Sequence, residues 1–202
     1  MFLRKSARRL PRSSSRPARE GSHGAGQPAA VRATTFAAMT NVPLRCAPMT
    51  AATRDEARAL LGAFLDDDEH YRASAAAYGD DGAAALDRAL DLFLAHPELG
   101  FVWLAHARSG AAQVPVGACV VCRAISTSRG TIVAKLDDVS VHPDWRGRGV
   151  GAGMLAALRD HLQAEGMSRI DCGCHRANEG AWRFYERMGF RPLDEERIAL
   201  LL

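Results

Sequence analysis

Apolar residues recur with two different periods along this chain, and the two periods divide residues 43–190 into helices and strands. Apolar side chains at helical spacing predict four helices, over 55–65, 82–95, 149–165 and 178–188. Short apolar runs predict strands over 44–48, 101–107, 116–126 and 131–142, a fifth that opens at Asp171 and a last one after the final helix. Two glycine-containing segments, 110–115 and 128–130, predict turns.

The element order β-α-α-β-β-β-α-β-α-β predicts an α/β (α+β) fold, in which helices pack on a mixed sheet. Thr50 or Thr53 is expected to cap the first helix, because a threonine hydroxyl accepts a hydrogen bond from the first helical turn. Acidic residues at 66–69 follow this helix. We interpret them as a solvated helix end, with attraction of a cationic amine as the alternative.

Positive charge is concentrated at the start of the chain. Residues 1–38 contain eight arginine or lysine residues and one acid, so they carry +7, whereas the whole chain of 202 residues carries +3. Residues 39–202 therefore carry −4, and nucleic acid is not an expected partner. Few large apolar side chains lie in the first 40 residues, which predicts a disordered basic leader over 1–40 and one domain over 41–202. A transit-like leader and a true start at Met39 both remain open.

The five cysteines are too few for a disulfide scaffold and predict reduced thiols in a cytoplasmic protein. Cys119 and Cys122 are expected on opposite faces of a strand, and Cys172 and Cys174 on one face of the fifth strand. We interpret them as core thiols rather than as a metal or redox site, since no zinc-finger spacing accompanies them. No apolar run reaches the ~18 residues of a membrane span, so no membrane partner is expected.

A glycine-rich turn joins the fourth strand to the third helix. Glycines stand at 147, 149, 151 and 153, where they permit a sharp turn and keep side chains away from the amides. Free N–H groups at a helix start bind anions, and Arg146 and Arg148 add positive charge. The residues expected to bind a phosphate-bearing ligand are Arg146, Gly147, Arg148, Gly149, Val150, Gly151 and Ala152.

Two phosphate-binding patterns fit this turn poorly. A Walker A loop needs lysine and then serine or threonine after its last glycine, whereas Met154 and Leu155 stand here. The dinucleotide pattern G-x-G-x-x-G/A is formally present over 147–152, with Asp171 about 20 residues further on. However, too little chain follows to build two mononucleotide-binding halves. A dinucleotide-dependent oxidoreductase is therefore only a minor alternative.

Two motifs together resemble those of the GCN5-related N-acetyltransferase (GNAT) family. Arg146-Gly-Arg-Gly149-Val-Gly151 matches the signature R/Q-x-x-G-x-G/A, and residues 136–145 look like the family's fourth strand leading into it. The segment 178–190, with asparagine, alanine, tyrosine and Gly-Phe in the usual positions, resembles a second motif. The resemblance is close over about 131–191 and rests on element order alone over 43–130.

The resemblance implies a mostly antiparallel sheet whose fourth and fifth strands splay apart to admit acetyl-CoA, without a metal. Backbone groups of Val139 and Val141 would pair with the pantetheine arm, and amides of the glycine-rich turn would hold the pyrophosphate. Asn178 would contact the coenzyme or cap the last helix. Members of the family often form homodimers, so a homodimer is consistent with the resemblance.

The implied activity is direct transfer of an acetyl group from coenzyme A to a primary amine of a small molecule or peptide. Tyr185 matches the tyrosine that protonates the leaving thiolate, and the Val139 N–H would polarise the thioester carbonyl. Asp137 and Asp138 are the candidate bases, placed on opposite faces by strand alternation, with a water chain as the alternative. A non-catalytic acyl-CoA-binding module is the alternative function.

Overall fold

The computed structural model describes residues 42–67 and 82–193, and these contain five strands and four α-helices. The strands are β1 (Leu44–Pro48), β2 (Gly100–Ser109), β3 (Ala112–Ser126), β4 (Thr131–Val141) and β5 (Ile170–Cys172). The helices are α1 (Arg54–Asp67), α2 (Ala83–Ala95), α3 (Val150–Ala164) and α4 (Glu179–Arg187). The predicted leader over 1–40 and residues 68 and 69 of the acidic segment lie outside the described residues.

The strands lie in the order β1-β2-β3-β4-β5 within one sheet. Neighbours from β1 to β4 are antiparallel, whereas β4 and β5 are parallel. A parallel pair needs a long crossover, and α3 supplies it. The expected mixed, mostly antiparallel sheet flanked by helices is therefore confirmed, and it differs from the doubly wound parallel sheet that binds dinucleotides.

Both faces of the sheet are covered by helices. Ala118 of β3 packs in a buried cluster with Leu61 of α1 and with the apolar face of α2. Its neighbour Cys119 belongs to the other cluster, in which Leu158 of α3 is fully buried. Since successive residues of a strand point to opposite faces, α1 and α2 cover one face and α3 covers the other.

Three details differ from the sequence-based expectations. The turn expected over 110–115 is only two residues long, because Gly110 adopts φ +61° and Ser109 already pairs with Ala112. Strand β5 ends at Cys172, so Cys174 does not share a strand face with it. No strand forms within residues 188–193 after α4, and residues 194–202 lie outside the description.

Thr50 caps a 3-10 turn over Ala51–Thr53 that runs directly into α1, and its backbone N–H donates to Thr53 Oγ1 at 2.9 Å. The predicted helix start is therefore close to the observed one.

Across the described residues, no helix has both the length and the apolar composition of a membrane span.

Candidate active site

Strand β4 contains one residue more than its partner β3 near the middle of their ladder. Asp137 and Ser140, three positions apart in β4, pair with Val120 and Ala118, which are two positions apart in β3. This mismatch defines a β-bulge. Asp138 lies within it at φ +50°, the only positive φ of a non-glycine residue in the described part of the chain. Aspartate tolerates this left-handed conformation better than most residues do.

The bulge changes which positions of β4 face α3. Before the bulge, the even-numbered residues Ala134 and Leu136 are buried in the α3-side cluster. After it, the odd-numbered residues Val139 and Val141 pack against the same cluster. The extra residue Asp138 accounts for the change, because a shift of one residue exchanges the two faces of a strand.

The two aspartates of the bulge differ in their electrostatic surroundings. Asp137 Oδ2 lies 3.5 Å from Lys135 Nζ, so a cation partly compensates its charge. Burial and, secondly, repulsion from Asp137 raise the pKa of Asp138 to about 6. Simple alternation does not account for the inserted residue Asp138. The expectation that these two side chains lie on opposite faces, which rests on alternation, therefore stays a prediction.

Strands β4 and β5 separate soon after they meet. Their parallel ladder joins only three residue pairs and ends at Leu136 and Cys172, although β4 continues to Val141. The splayed strands expected from the sequence are therefore present. We call the space beside residues 137–141 of β4, beyond the end of β5, the gap.

Backbone groups of β4 line the gap. The N–H of His142 donates to the Val116 carbonyl at 2.9 Å, so residue 142 directs its backbone groups towards β3. Successive residues direct these groups to opposite edges of a strand, so Val141 and Val139 direct theirs towards the gap. Both valines that the sequence singled out thus present backbone donors and acceptors on the unpaired side of β4.

The glycine-rich turn follows at the end of β4. Gly147 has φ +72° and Gly149, the residue before α3, has φ +81°, so both use conformations that disfavour other residues. A Cβ at Gly147 would meet no atom within 4 Å, which shows that the turn is open on that side. The first helical bond runs from the Gly153 N–H to the Gly149 carbonyl at 3.0 Å, so the N–H groups at 150–152 have no acceptor within the helix.

The two arginines of the turn have different neighbours. Arg146 Nε donates to the Val141 carbonyl at 3.0 Å, which ties the turn to the strand edge at the gap. The guanidinium of Arg148 lies over the Trp145 ring, 5.2 Å from its centroid. Both side chains are exposed. Arg148 therefore extends its charge beside the turn, while Arg146 lies against the gap itself.

Gly151 allows three elements to meet closely. A Cβ at this position would lie 3.4 Å from the Phe184 ring of α4 and 3.5 Å from Val141 Cγ2. The first turn of α3, the end of β4 and α4 thus converge at one glycine. Asn178 caps α4 because its Oδ1 accepts from the Ala181 N–H at 3.0 Å, so the expected capping role is observed.

Tyr185 is held on the inner side of α4. Its ring makes edge-on contacts with Phe184 and Phe190, each at a centroid distance of 5.3 Å. Tyr185 packs against the α3-side core cluster, as does Cys172, the residue where β5 leaves β4. Burial raises the pKa of Tyr185 above its usual value, so the group is a protonated phenol at neutral pH.

The cysteines do not form a metal site in the residues that the structure describes, where no three metal-ligating side chains come together. None of the five cysteines, all of which lie in the described part of the chain, forms a disulfide, and only Cys119 is fully buried. Desolvation raises the pKa of Cys46 to about 11, which makes its thiol a poor nucleophile. The interpretation of core thiols therefore holds strictly for Cys119 alone.

Two features of the site were missed from the sequence. Apart from Val133, the apolar residues of β4 are even-numbered before the Asp-Asp pair and odd-numbered after it, and this change could have revealed the bulge. The thiol of Cys172 adds to the raised pKa of Tyr185, although the two residues belong to different elements, and no sequence spacing indicates this.

Comparison with known proteins agrees with this geometry. The acetyltransferase (GNAT) family matches the chain over residues 53–190. An uncharacterised N-acetyltransferase of Methanocaldococcus jannaschii is 35% identical over 78 residues, which cover 38% of this chain and 34% of that protein. A mycothiol acetyltransferase of Propionibacterium freudenreichii is 33% identical over 112 residues, which cover 48% of this chain and 36% of that protein. The matches thus span about a third of each relative.

Solved structures share the fold at low sequence identity. AAC(6′)-Iy, in complex with the bisubstrate analogue CoA-S-monomethyl-acetylneamine, has a TM-score of 0.61 and 16% identity, covering 78% of this chain and 97% of that one. A ribosomal-protein-alanine N-acetyltransferase from Brucella melitensis biovar Abortus 2308 has a TM-score of 0.59 and 16% identity, and the match covers 79% of this chain and 99% of that one. The family match covers more than half of the chain, and the fold agrees with solved acetyltransferases. The chain belongs to the GNAT family of acetyltransferases.

Proposed function

We propose that this protein transfers an acetyl group from acetyl-CoA to a primary amine of a small molecule or peptide. The observation that carries the proposal is the unpaired edge of β4 beside the gap, immediately followed by a helix start with free amides. A strand edge suits an amide-containing arm, and a helix start suits a diphosphate. Coenzyme A combines these two chemical groups, and AAC(6′)-Iy, which shares the fold, has been solved in complex with a CoA-containing bisubstrate analogue.

Binding would use the strand edge and the turn together. The backbone of Val139 and Val141 would pair with the amides of the pantetheine arm, as an added strand would. The N–H groups of residues 147–152 would donate hydrogen bonds to the diphosphate oxygens, and Arg148 would add positive charge beside them. The residues fit this ligand because Gly147 leaves the approach to the turn open.

Arg146 would also affect this binding, through its hydrogen bond to the strand edge. Its Nε occupies the Val141 carbonyl, one of the backbone acceptors that the arm would use. A guanidinium pairs strongly with phosphate oxygens, so a diphosphate at the turn would compete with this internal hydrogen bond. The coenzyme would thereby help to free the acceptor that its own arm needs.

Acetyl transfer requires a neutral amine, a polarised carbonyl and a proton for the leaving sulfur. Asp138 is the stronger candidate base, because its raised pKa of about 6 keeps it ionised at neutral pH yet basic enough to accept a proton from an ammonium group. The backbone N–H of Val139, the next residue, would polarise the carbonyl. A C–N bond forms as the C–S bond breaks, and Tyr185 donates its proton to the sulfur.

The first prediction concerns the open turn. Gly147→Ala should weaken acetyl-CoA binding about tenfold, because alanine at positive φ costs about 1–2 kcal/mol and the turn would relax away from its binding conformation. Calorimetric titration with acetyl-CoA measures the change.

Gly166→Ala is the matched control. Gly166 has φ +81° at the other end of α3, and a Cβ there would also meet nothing within 4 Å. This variant should lose similar thermal stability but keep wild-type affinity. Equal affinity losses in both variants would show that the turn at residue 147 does not bind the coenzyme.

The second prediction concerns the proton donor. Tyr185→Phe keeps the ring contacts with Phe184 and Phe190 but removes the hydroxyl, so kcat should fall about 10²–10⁴-fold while acetyl-CoA affinity changes little. Release of free thiol in the presence of an accepted amine measures turnover. An unchanged kcat would refute the role of Tyr185 as the acid.

The third prediction concerns the base. If ionised Asp138 is required, kcat/KM for the acceptor should rise with pH through about 6. Asp137→Asn removes the repulsion that contributes to this raised pKa, so the rise should move to lower pH. Asp144→Asn, at a side chain that is 85% exposed, is the control and should leave the profile unchanged. A profile that Asp137→Asn does not move would contradict this assignment.

A further inference from the structure

A lysine and an aspartate lie side by side on β4 just before the bulge. Lys135 pairs with Cys122 of β3. Asp137 pairs with Val120, so both strands advance by two residues here and the ladder is regular. Side chains two positions apart in a regular strand share a face. The ammonium of Lys135 therefore lies on the same face as the Asp137 carboxylate.

The ion pair between these two residues determines where the Asp137 carboxylate is drawn. Lys135 Nζ lies 3.5 Å from Asp137 Oδ2. Lys135 precedes Asp137 by two residues, whereas Asp138 follows it directly, so the cation and the bulge lie on opposite sides of Asp137 along the chain. Attraction to the ammonium thus draws this carboxylate towards the start of β4 and away from the bulge.

Lys135 has a second acidic neighbour, on β5. Asp171 is its partner in the parallel ladder. Arg169 already binds that carboxylate, because its Nε and Nη2 lie 2.8 and 3.0 Å from the two oxygens. A bidentate guanidinium pair is stronger than a single contact. Since Asp171 has this partner, Lys135 can compensate Asp137.

Helix α1 packs on the same face of the sheet, in a cluster that includes Val120. Three of its charged side chains have partners in α2 or β2: Arg54 with Asp87 and Asp91, Arg58 with Asp87, and Glu56 with His106. Asp55 is 98% exposed, and Asp66 lines the cleft between α1 and α2. A change of charge at residue 135 therefore leaves the ion pairs of α1 intact.

Titratable side chains on β3, on α4 and after β5 are neutral. Burial raises the pKa of the Cys122 thiol, the Cys174 thiol and the Tyr185 phenol. These groups consequently add no charge beside the bulge at neutral pH. Arg146, beyond the end of β4, remains charged and binds the Val141 carbonyl.

The Asp138 carboxylate responds to the charge of Asp137. The two residues are consecutive in the bulge, and repulsion from Asp137 adds to the effect of burial in raising the pKa of Asp138. Coulomb repulsion weakens as the two charges move apart. A cation that holds the Asp137 carboxylate away from the bulge therefore limits the repulsion at Asp138.

We propose that Lys135 is a positioning residue, which holds the Asp137 carboxylate away from Asp138 and so keeps Asp138 ionised for its role as the base. This inference rests on the proposed function. In the proton transfer an N–H bond of the acceptor ammonium breaks and an O–H bond forms on Asp138, which later returns the proton to water. Lys135 acts on this step only through Asp137.

NMR titration of the Asp138 carboxyl group, in the full-length protein without substrate, tests the contact itself. Lys135→Met keeps an unbranched side chain but removes the charge, so the pKa of Asp138 should rise by about half a pH unit. Lys135→Arg keeps the cation and should retain the wild-type value. In the Asp137→Asn background, Lys135→Met should move this pKa much less, because the carboxylate that Lys135 holds is gone.

The pH dependence of kcat/KM for an accepted amine tests the consequence for turnover. Lys135→Met should lower kcat/KM about twofold at pH 6, where a smaller fraction of Asp138 is ionised. At pH 8 it should match the wild type, because Asp138 is ionised in both proteins. Equal losses at the two pH values would show that Lys135 has only a structural role.

Arg45→Met is the matched control. Arg45 is also a strand cation, but it lies on β1, at the opposite edge of the sheet. This variant removes the same charge and should leave both the pKa of Asp138 and the pH profile unchanged. Thermal melting of every variant separates lost turnover from lost folding.

The outcomes separate this inference from the function on which it rests. An unmoved pKa of Asp138 in Lys135→Met would overturn the positioning role. Equal shifts with and without the Asp137 carboxylate, or an equal shift in Arg45→Met, would overturn it too. A moved pKa with an unmoved rate profile would instead refute Asp138 as the base, and absence of thiol release by the wild type would refute the proposed function.

Discussion

Strand β4 pairs with β3 along most of its length but with β5 over only three residues, and the site depends on this difference. The extra residue Asp138 adds local twist to β4 just where β5 leaves it, as a bulge does. The backbone groups of Val139 and Val141 consequently face a gap rather than a neighbouring strand. A paired strand in that position would satisfy the same groups and leave no place for a ligand.

The elements around the gap supply different parts of one chemistry. The bulge brings an aspartate of raised pKa beside the strand edge, the turn at Gly147 and Gly149 supplies amides and positive charge, and α4 supplies a phenol that remains protonated. Close packing at Gly151 sets the distance between α4 and the end of β4. The interactions that fix the fold at this point are thus the same ones that would place the proposed reacting groups.

Much of this arrangement could be predicted from the sequence, for identifiable physical reasons. The glycine-rich turn was predictable because Gly147 and Gly149 need conformations that other residues avoid, and the cap at Asn178 because its side chain acts locally. The faces of Asp137 and Asp138 were predicted from simple alternation, which assumes a ladder without insertions and does not account for the bulge at Asp138. The effect of Cys172 on the pKa of Tyr185 could not be predicted, because it depends on how α4 packs on the core beside the end of β5.

Hydrogen exchange of individual amides, with and without acetyl-CoA, tests the central claim most directly. The account predicts that acetyl-CoA slows exchange at Val139 and Val141 and across 147–152, where the strand edge and the helix start have free N–H groups. Amides of β4 that already pair with β3, such as that of Ser140, should change little. Binding that protects other segments while Val139, Val141 and the turn exchange as before would contradict the account.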